Sequence, residues 1–306
     1  MNTRKPRVGV LKRFLRLSLL LLAAGGLAYA GYSWYLSQKV QGLTPAQKKV
    51  LVIGHAGLGF FSPLNPFNPY PANSMTSLTK ALAAGADGLE VDIHLSQDGI
   101  PILFHDLRLE PMTPARGLIE EKPAASVVGL PYQGGFFYDL FQQEKVISFE
   151  DLLRALQTYP QRPHLHLDLR QEGPDRSGYY ARTLLALLDR YQYPVEKLTF
   201  ISPEVAVLQA FQQAEPRASY LLDSKGDFEA VLQQALAHRL HGLVVNARDM
   251  DPERMRRVRQ HRLQVVLFGP KSPLSIYKAL LLAPDALEVN NVPAMVDMVK
   301  NNQVNQ

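Results

Sequence analysis

The sequence predicts an α/β protein: a distorted (β/α)8 barrel with an N-terminal transmembrane helix. Two observations carry this reading. From Lys49 onward, short β-branched or leucine-rich runs alternate with helix-length stretches, the pattern of parallel strands joined by crossover helices. Ahead of them, Leu17 to Leu36 is an uncharged run, long enough as a helix to cross roughly 30 Å of hydrocarbon.

Residues 1–16 form a basic tail with six Lys/Arg and no acid. Arg16 and Lys39 bracket the apolar run, and Trp34 and Tyr35 stand where interfacial aromatics belong. The expectation is a single-pass anchor in the cell membrane over 17–36, with the N-terminus cytoplasmic and the remaining chain extracytoplasmic. The alternative is export after signal cleavage near Ala30, since Ala28-Tyr29-Ala30 has the small-residue pattern of a cleavage site. Residues 37–48 read as a linker and 49–306 as the barrel.

Nine strand candidates follow, at 50–55, 88–95, 100–106, 164–170, 197–202, 217–223, 241–247, 263–269 and 285–291. Helical patterns occupy 74–85, 148–159, 179–191, 203–214 and 227–239. Nine strands are one too many for an eightfold barrel, and Asp98-Gly99 marks the extra one as the returning arm of a hairpin. A two-residue turn there sets Gln97 opposite Ile100, Ile93 opposite Phe104 and Asp92 opposite His105. Two segments interrupt the pattern. Residues 58–74, rich in Pro, Asn and aromatics, should loop over the barrel mouth. Residues 107–147 form an insertion whose aromatic stretch, 129–143, either packs on the barrel or serves as a lid, lipid-contacting surface or binding rim.

Composition excludes several functions. There is no cysteine, hence no disulfide, thiolate zinc site or cysteine nucleophile. Setting aside the six bases of the tail leaves 27 Lys/Arg against 28 acids, so the domain lacks the basic footprint of a nucleic-acid partner.

The chemistry-bearing residues gather at strand ends, where barrels of this kind build their mouths. His55 ends the first strand and His105 the returning arm. Glu90 and Asp92 are two apart on one strand face, as are Asp168 and Arg170. Crowded carboxylates raise one another's pKa unless a cation is present, and oxygen ligands without cysteine suit Ca2+ or Mg2+. Two imidazoles can divide proton removal from proton delivery, and an arginine offers several donors to phosphate. A reaction that would use all of these is metal-assisted phosphodiester hydrolysis, with another metal hydrolase on a similar barrel as the alternative. His94 shares the Glu90/Asp92 face. His166 shares the Asp168 face and can fill the barrel interior, whereas His164 reads as structural. Phe268 offers the mouth an apolar wall or serves packing. Asn290 and Asn291 either bond substrate or cap a loop, at least one being a cap.

These stretches resemble the glycerophosphodiester phosphodiesterase family over about residues 50–295. The resemblance rests on HAG at 55–57, PANS at 71–74, AGADGLEVDIHLSQDGIPILFHD at 84–106 and LHLDLR at 165–170, with NNVP at 290–293 a softened form of a closing Thr-Asp-x-Pro. It implies a barrel that cleaves glycerophosphodiesters to glycerol 3-phosphate and an alcohol with one divalent cation, Ca2+ or Mg2+. By position, Glu90 and Asp92 would be metal ligands, and Asp168 would replace a usual glutamate ligand. His55 and His105 would be the acid/base pair, and Arg170 would stand where a phosphate-contacting lysine is usual. Two motif residues depart from the family: Ala56 replaces the arginine of His-Arg-Gly, and Ala72 the glutamate of Pro-Glu-Asn. The reading is a divergent enzyme acting on a small-molecule or lipid-derived phosphodiester, with the membrane as its other partner. The alternative is a catalytically silent barrel that binds phospholipid headgroups or an envelope partner.

Overall fold

Eight of the predicted strands form a closed parallel sheet in the computed structural model, which describes residues 7–60, 68–110, 112–134, 139–170 and 176–300. They are β1 (Leu51–Gly54), β2 (Gly88–Leu95), β5 (His164–Arg170), β6 (Leu198–Ser202), β7 (Ser219–Asp223), β8 (Gly242–Asn246), β9 (Gln264–Phe268) and β10 (Ala286–Val289). Each pairs in parallel with its neighbours, and β1 closes the ring by pairing with both β10 and β2. An apolar layer of Ile53, Ile201, Leu221, Val244, Val266 and Ala286 fills the barrel. Helices follow the strands where the 3.6-residue pattern places them, as at Met75–Ala83, Phe149–Leu156 and Val205–Ala214.

The ninth predicted strand is the hairpin arm. β3 (Pro101–Leu103) runs antiparallel to the end of β2, and a short β4 (Ile147–Ser148), not foreseen from sequence, pairs with β3. β1 reaches β2 only at Gly88 and Leu89, and β3 takes the second half of β2, which distorts the ring.

The hairpin register differs by one from the expected pairing. Ile93 lies opposite Leu103 and His94 opposite Ile102, so Asp92 does not face His105 across the ladder. Three residues form the turn, because Ser96 and Ile100 close it: Ser96 N–H donates to the Ile100 carbonyl at 3.0 Å. Ser96 Oγ accepts from Ile100 N–H at 2.8 Å and donates to Asp98 Oδ1 at 2.6 Å. Gly99 takes a positive φ of 84°, as a three-residue hairpin loop requires at its last position.

The described part of the insertion packs on the barrel. Leu109, Ile119, Val127, Tyr132 and Val146 form a buried cluster with Ile102 and Phe104 of the hairpin arm. The centre of the aromatic stretch, 135–138, and residues 61–67 of the mouth loop lie outside the described residues.

The chain divides into two compact units, Met1–Thr44 and Pro45–Gln306. The first is one helix, Arg7–Gln41, whose stretch Lys12–Gln41 is by length and composition apolar enough to cross a membrane. These features suit an anchor and a signal sequence equally.

Candidate metal centre and active site

The register between β2 and β5 assembles the acidic centre. Asp92 pairs with Asp168, Glu90 with His166 and His94 with Arg170, so residues of like parity stand side by side on adjacent strands. Ligand atoms of Glu90, Asp92 and Asp168 lie within 4.8 Å of one another. Glu90 and Asp168, with Asp223 and Glu288 from β7 and β10, line a cavity of about 60 Å3.

Each carboxylate is held differently. Glu90 is buried and accepts from the Ala56 N–H at 2.8 Å. Burial, together with Asp92, Glu288 and Asp168, still pushes its pKa well above the ordinary value. Burial pushes Asp92 up as well, but Arg170, His105, Asn73 and His55 outweigh it and hold Asp92 below its usual range. Asn73, in the left-handed region at φ 62°, donates to Asp92 Oδ2 at 2.8 Å and accepts from the Asp92 N–H at 3.2 Å. Arg170 Nη2 donates to Asp92 Oδ1 at 2.7 Å and reaches Asp168 Oδ2 at 2.6 Å. One guanidinium therefore serves two acids. Asp168 gains too little from it: burial, with Asp92, Asp223 and Glu288 around it, pushes its pKa up to about 7.

These features fit a divalent cation. Asp168 Oδ1 is buried without a hydrogen-bond partner in the protein, and the raised pKa values of Glu90 and Asp168 mark negative charge in excess of Arg170. Glu90, Asp92 and Asp168 would hold the ion, as hard oxygen donors suited to Ca2+ or Mg2+.

The two histidines flank this centre. His55 Nδ1 meets Asn290 Oδ1 at 2.8 Å, and its Nε2 lies 3.9 Å from Glu90 Oε2. With the carbonyl oxygen of Asn290 as acceptor, Nδ1 is the donor of this bond, and Nε2 is the ring nitrogen on the side of Glu90. His105 Nδ1 bonds Asp106 Oδ1 at 2.8 Å, which raises the imidazole pKa above its ordinary value. Phe60 stands between the rings edge to face, its centroid 5.2 Å from His55 and 4.8 Å from His105. Phe268 closes the other side of His55, at 6.3 Å.

The local chain path is set by sequence. Ala56 is fully buried at φ 47° and Gly57 turns at φ 93°, where a Cβ would come within 2.6 Å of the Ser77 backbone. Of the remaining predicted candidates, His94 is buried, and desolvation lowers its pKa to about 4. His164 begins β5 at the far end from Arg170, beside Lys197 Nζ at 3.1 Å. His166 is buried in the barrel, its Nδ1 2.7 Å from Glu288 Oε1. Asn291 is the helix cap, accepting from the Ala294 N–H ahead of Val292–Val299. The sequence alone assigns no role to Asn73, Asp106, Asp223 or Glu288. Asp106 adjoins a singled-out histidine and Asn73 lies in a quoted motif, while Glu288 interrupts an apolar strand.

Residues 67–294 match the model of the Glycerophosphoryl diester phosphodiesterase family. The chain belongs to this family. The phosphodiesterase fold is shared with solved structures at low sequence identity. A phosphodiesterase from Oleispira antarctica, solved with sn-glycerol-3-phosphate, superposes with a TM-score of 0.71 at 21% identity, covering 81% of this chain and 96% of that one. A glycerophosphodiester phosphodiesterase from Parabacteroides distasonis gives 0.67 at 16% identity, covering 84% and 98%. Among curated relatives, the glycerophosphodiester phosphodiesterase of Bacillus altitudinis is 40% identical over 52 residues, 17% of this chain. An uncharacterized protein of Bacillus subtilis is 38% identical over a segment of the same length. The match spans only 21% of the length of each of these two relatives.

Proposed function

We propose that this chain hydrolyses a glycerophosphodiester or a related lipid-derived phosphodiester, giving a phosphomonoester and an alcohol. The observation that carries the reading is the juxtaposition of Glu90, Asp92 and Asp168 with two histidines of unlike environment. Metal-dependent chemistry suits this family site. Calcium or magnesium is the proposed ion, held by those three carboxylates; when bound, it supplies positive charge to phosphate oxygens and polarises the phosphorus centre.

The protein's own groups then divide the work. His55, with Asn290 at Nδ1, presents Nε2 as the base that takes a proton from the attacking water, or from a glycerol hydroxyl whose attack expels the alcohol and leaves a cyclic phosphodiester that water then opens to the phosphomonoester. His105, kept protonated to higher pH by Asp106, donates a proton to the departing oxygen. Arg170 is partly exposed at the mouth and offers its guanidinium to phosphate. Phe60 and Phe268 pack edge to face on the His55 ring and hold its orientation.

The proposed organisation is a basic cytoplasmic tail (1–16), an anchor (17–36), a linker (37–48) and an extracytoplasmic barrel (49–306). Export with signal cleavage near Ala30 is the alternative. The membrane is the proposed partner, and nucleic acid is not. The test of the activity is release of product from a panel of glycerophosphodiesters and lysophospholipids by the full chain, with Ca2+ or Mg2+. The expected result is metal-dependent turnover that falls by at least 100-fold in both His55→Ala and His105→Ala, a scale on the order of general acid–base contributions. Full turnover in either variant removes that histidine from the mechanism. Absence of turnover in the folded, metal-supplied protein favours a barrel that binds headgroups without cleaving them.

A further inference from the structure

Beside His105 the mouth continues into a cleft of about 370 Å3 that the proton transfers above do not use. Phe60, Phe104, Met112 and Tyr132 give it apolar walls, and Ala72 adds a methyl group. Phe104 and Tyr132 stack with centroids 5.8 Å apart and planes within 10°. Both rings are buried, backed by Leu109, Ile119 and Val146 of the insertion, so this wall is built before any ligand arrives. The titratable groups lining the cleft, among the described residues, are His105, its partner Asp106 and the phenol of the buried Tyr132.

Size and polarity identify the occupant. The volume lies in the range of small-molecule sites, well beyond what a phosphate alone fills. A glycerol group placed there would lose water and find few hydrogen-bond partners along the apolar walls. Ala72 contributes a methyl group and no charge to this wall. We propose that the cleft beside His105 binds the apolar chain of the diester, which makes long-chain, lipid-derived phosphodiesters the preferred substrates. The inference rests on the phosphodiesterase reading for its reaction, but its binding component stands apart from turnover.

The chain can be carried by the alcohol or by the glycerol, and two substrate series separate these sources. The full chain in lipid nanodiscs is assayed with Ca2+ on glycerophospho-n-alkanols from ethanol to octanol, and on glycerophosphocholine against its 1-octanoyl derivative. Each buried methylene adds roughly 3–4-fold, so octyl should exceed butyl by on the order of 100-fold in kcat/KM in the series that fits. Ala72→Glu and Met112→Glu should each flatten that dependence. In parallel, calorimetry compares octyl phosphate with ethyl phosphate, against empty nanodiscs.

Octyl phosphate binding at least tenfold tighter, with the preference lost in either variant, supports the cleft even if no diester turns over; that outcome defeats the catalytic reading alone. Turnover of every diester without chain-length dependence overturns the cleft and leaves the phosphodiesterase reading intact. A chain-length dependence that survives both substitutions, or equal binding of the two phosphates, also overturns it.

Discussion

Arg170 acts in the acidic centre as a built-in counter-charge, and replacing it with Met tests the electrostatics directly. Its Nη2 lies 2.7 Å from Asp92 Oδ1 and 2.6 Å from Asp168 Oδ2, with side-chain exposures of 29%, 1% and 13% for Arg170, Asp92 and Asp168. Removing one partner of a buried pair costs about 3–5 kcal/mol, and partial exposure of Arg170 puts this case near the lower end. For a domain of this size, about 3 kcal/mol lowers Tm by roughly 6–12 °C. The loss should shrink when Ca2+ or Mg2+ is added. A cation at a hundred times its Kd returns about 2.7 kcal/mol, and in Arg170→Met it no longer competes with the guanidinium for two of its ligands. The assay is thermal unfolding of both proteins with chelator and with saturating cation. A Tm gap unchanged by cation, or no gap in chelator, would refute the view that Arg170 and the metal share these carboxylates.

Three further perturbations address the parts around this centre. Asp106→Asn takes the negative charge from the acceptor that raises the His105 pKa; if His105 is the acid, its active protonated form is lost at lower pH, so the alkaline limb of the kcat/KM–pH profile moves downward, and an unmoved limb would exclude His105 from that role. Gly57→Ala places a Cβ 2.6 Å from the Ser77 backbone at φ 93°; denaturant unfolding should show a loss of about 1–3 kcal/mol or more, and a neutral result would mean that the loop relaxes freely. Glu288→Leu leaves His166 Nδ1 without its partner at 2.7 Å and should cost about 1–3 kcal/mol, whereas the double change with His166→Leu should cost less than Glu288→Leu alone; additive losses would show that the pair is not coupled.

Legibility in the sequence followed the range of the interaction. Strand geometry alone places residues two apart on one face, so Glu90 with Asp92 and Asp168 with Arg170 were readable from spacing, and the β2–β5 register then aligned the two pairs. The hairpin was readable as an element but not in its register. Asp98-Gly99 signals a tight turn, yet the Ser96 side chain closes a three-residue loop and shifts the pairing by one. His105 nevertheless stays near the acids, because the chain leaves the ladder after Leu103. Asp223 and Glu288 come from strands far along the chain and carry no local motif; only barrel closure brings them to Glu90 and Asp168. Asn73 lies just ahead of the helix Met75–Ala83, where no periodicity predicts a bond to Asp92. The membrane-length run was evident from composition, and the helix it forms is consistent with either fate of the N-terminus.

The central claim is that Glu90, Asp92 and Asp168 hold a cation on which diester cleavage depends. The most direct measurement is hydrolysis of glycerophosphocholine and its octanoyl derivative against free Ca2+ or Mg2+, by the full chain and by Asp168→Asn. The account predicts saturable cation dependence that chelator abolishes, with half-saturation in Asp168→Asn moved to at least tenfold higher cation. Turnover indifferent to chelator, or superimposable cation curves for the two proteins, would contradict it.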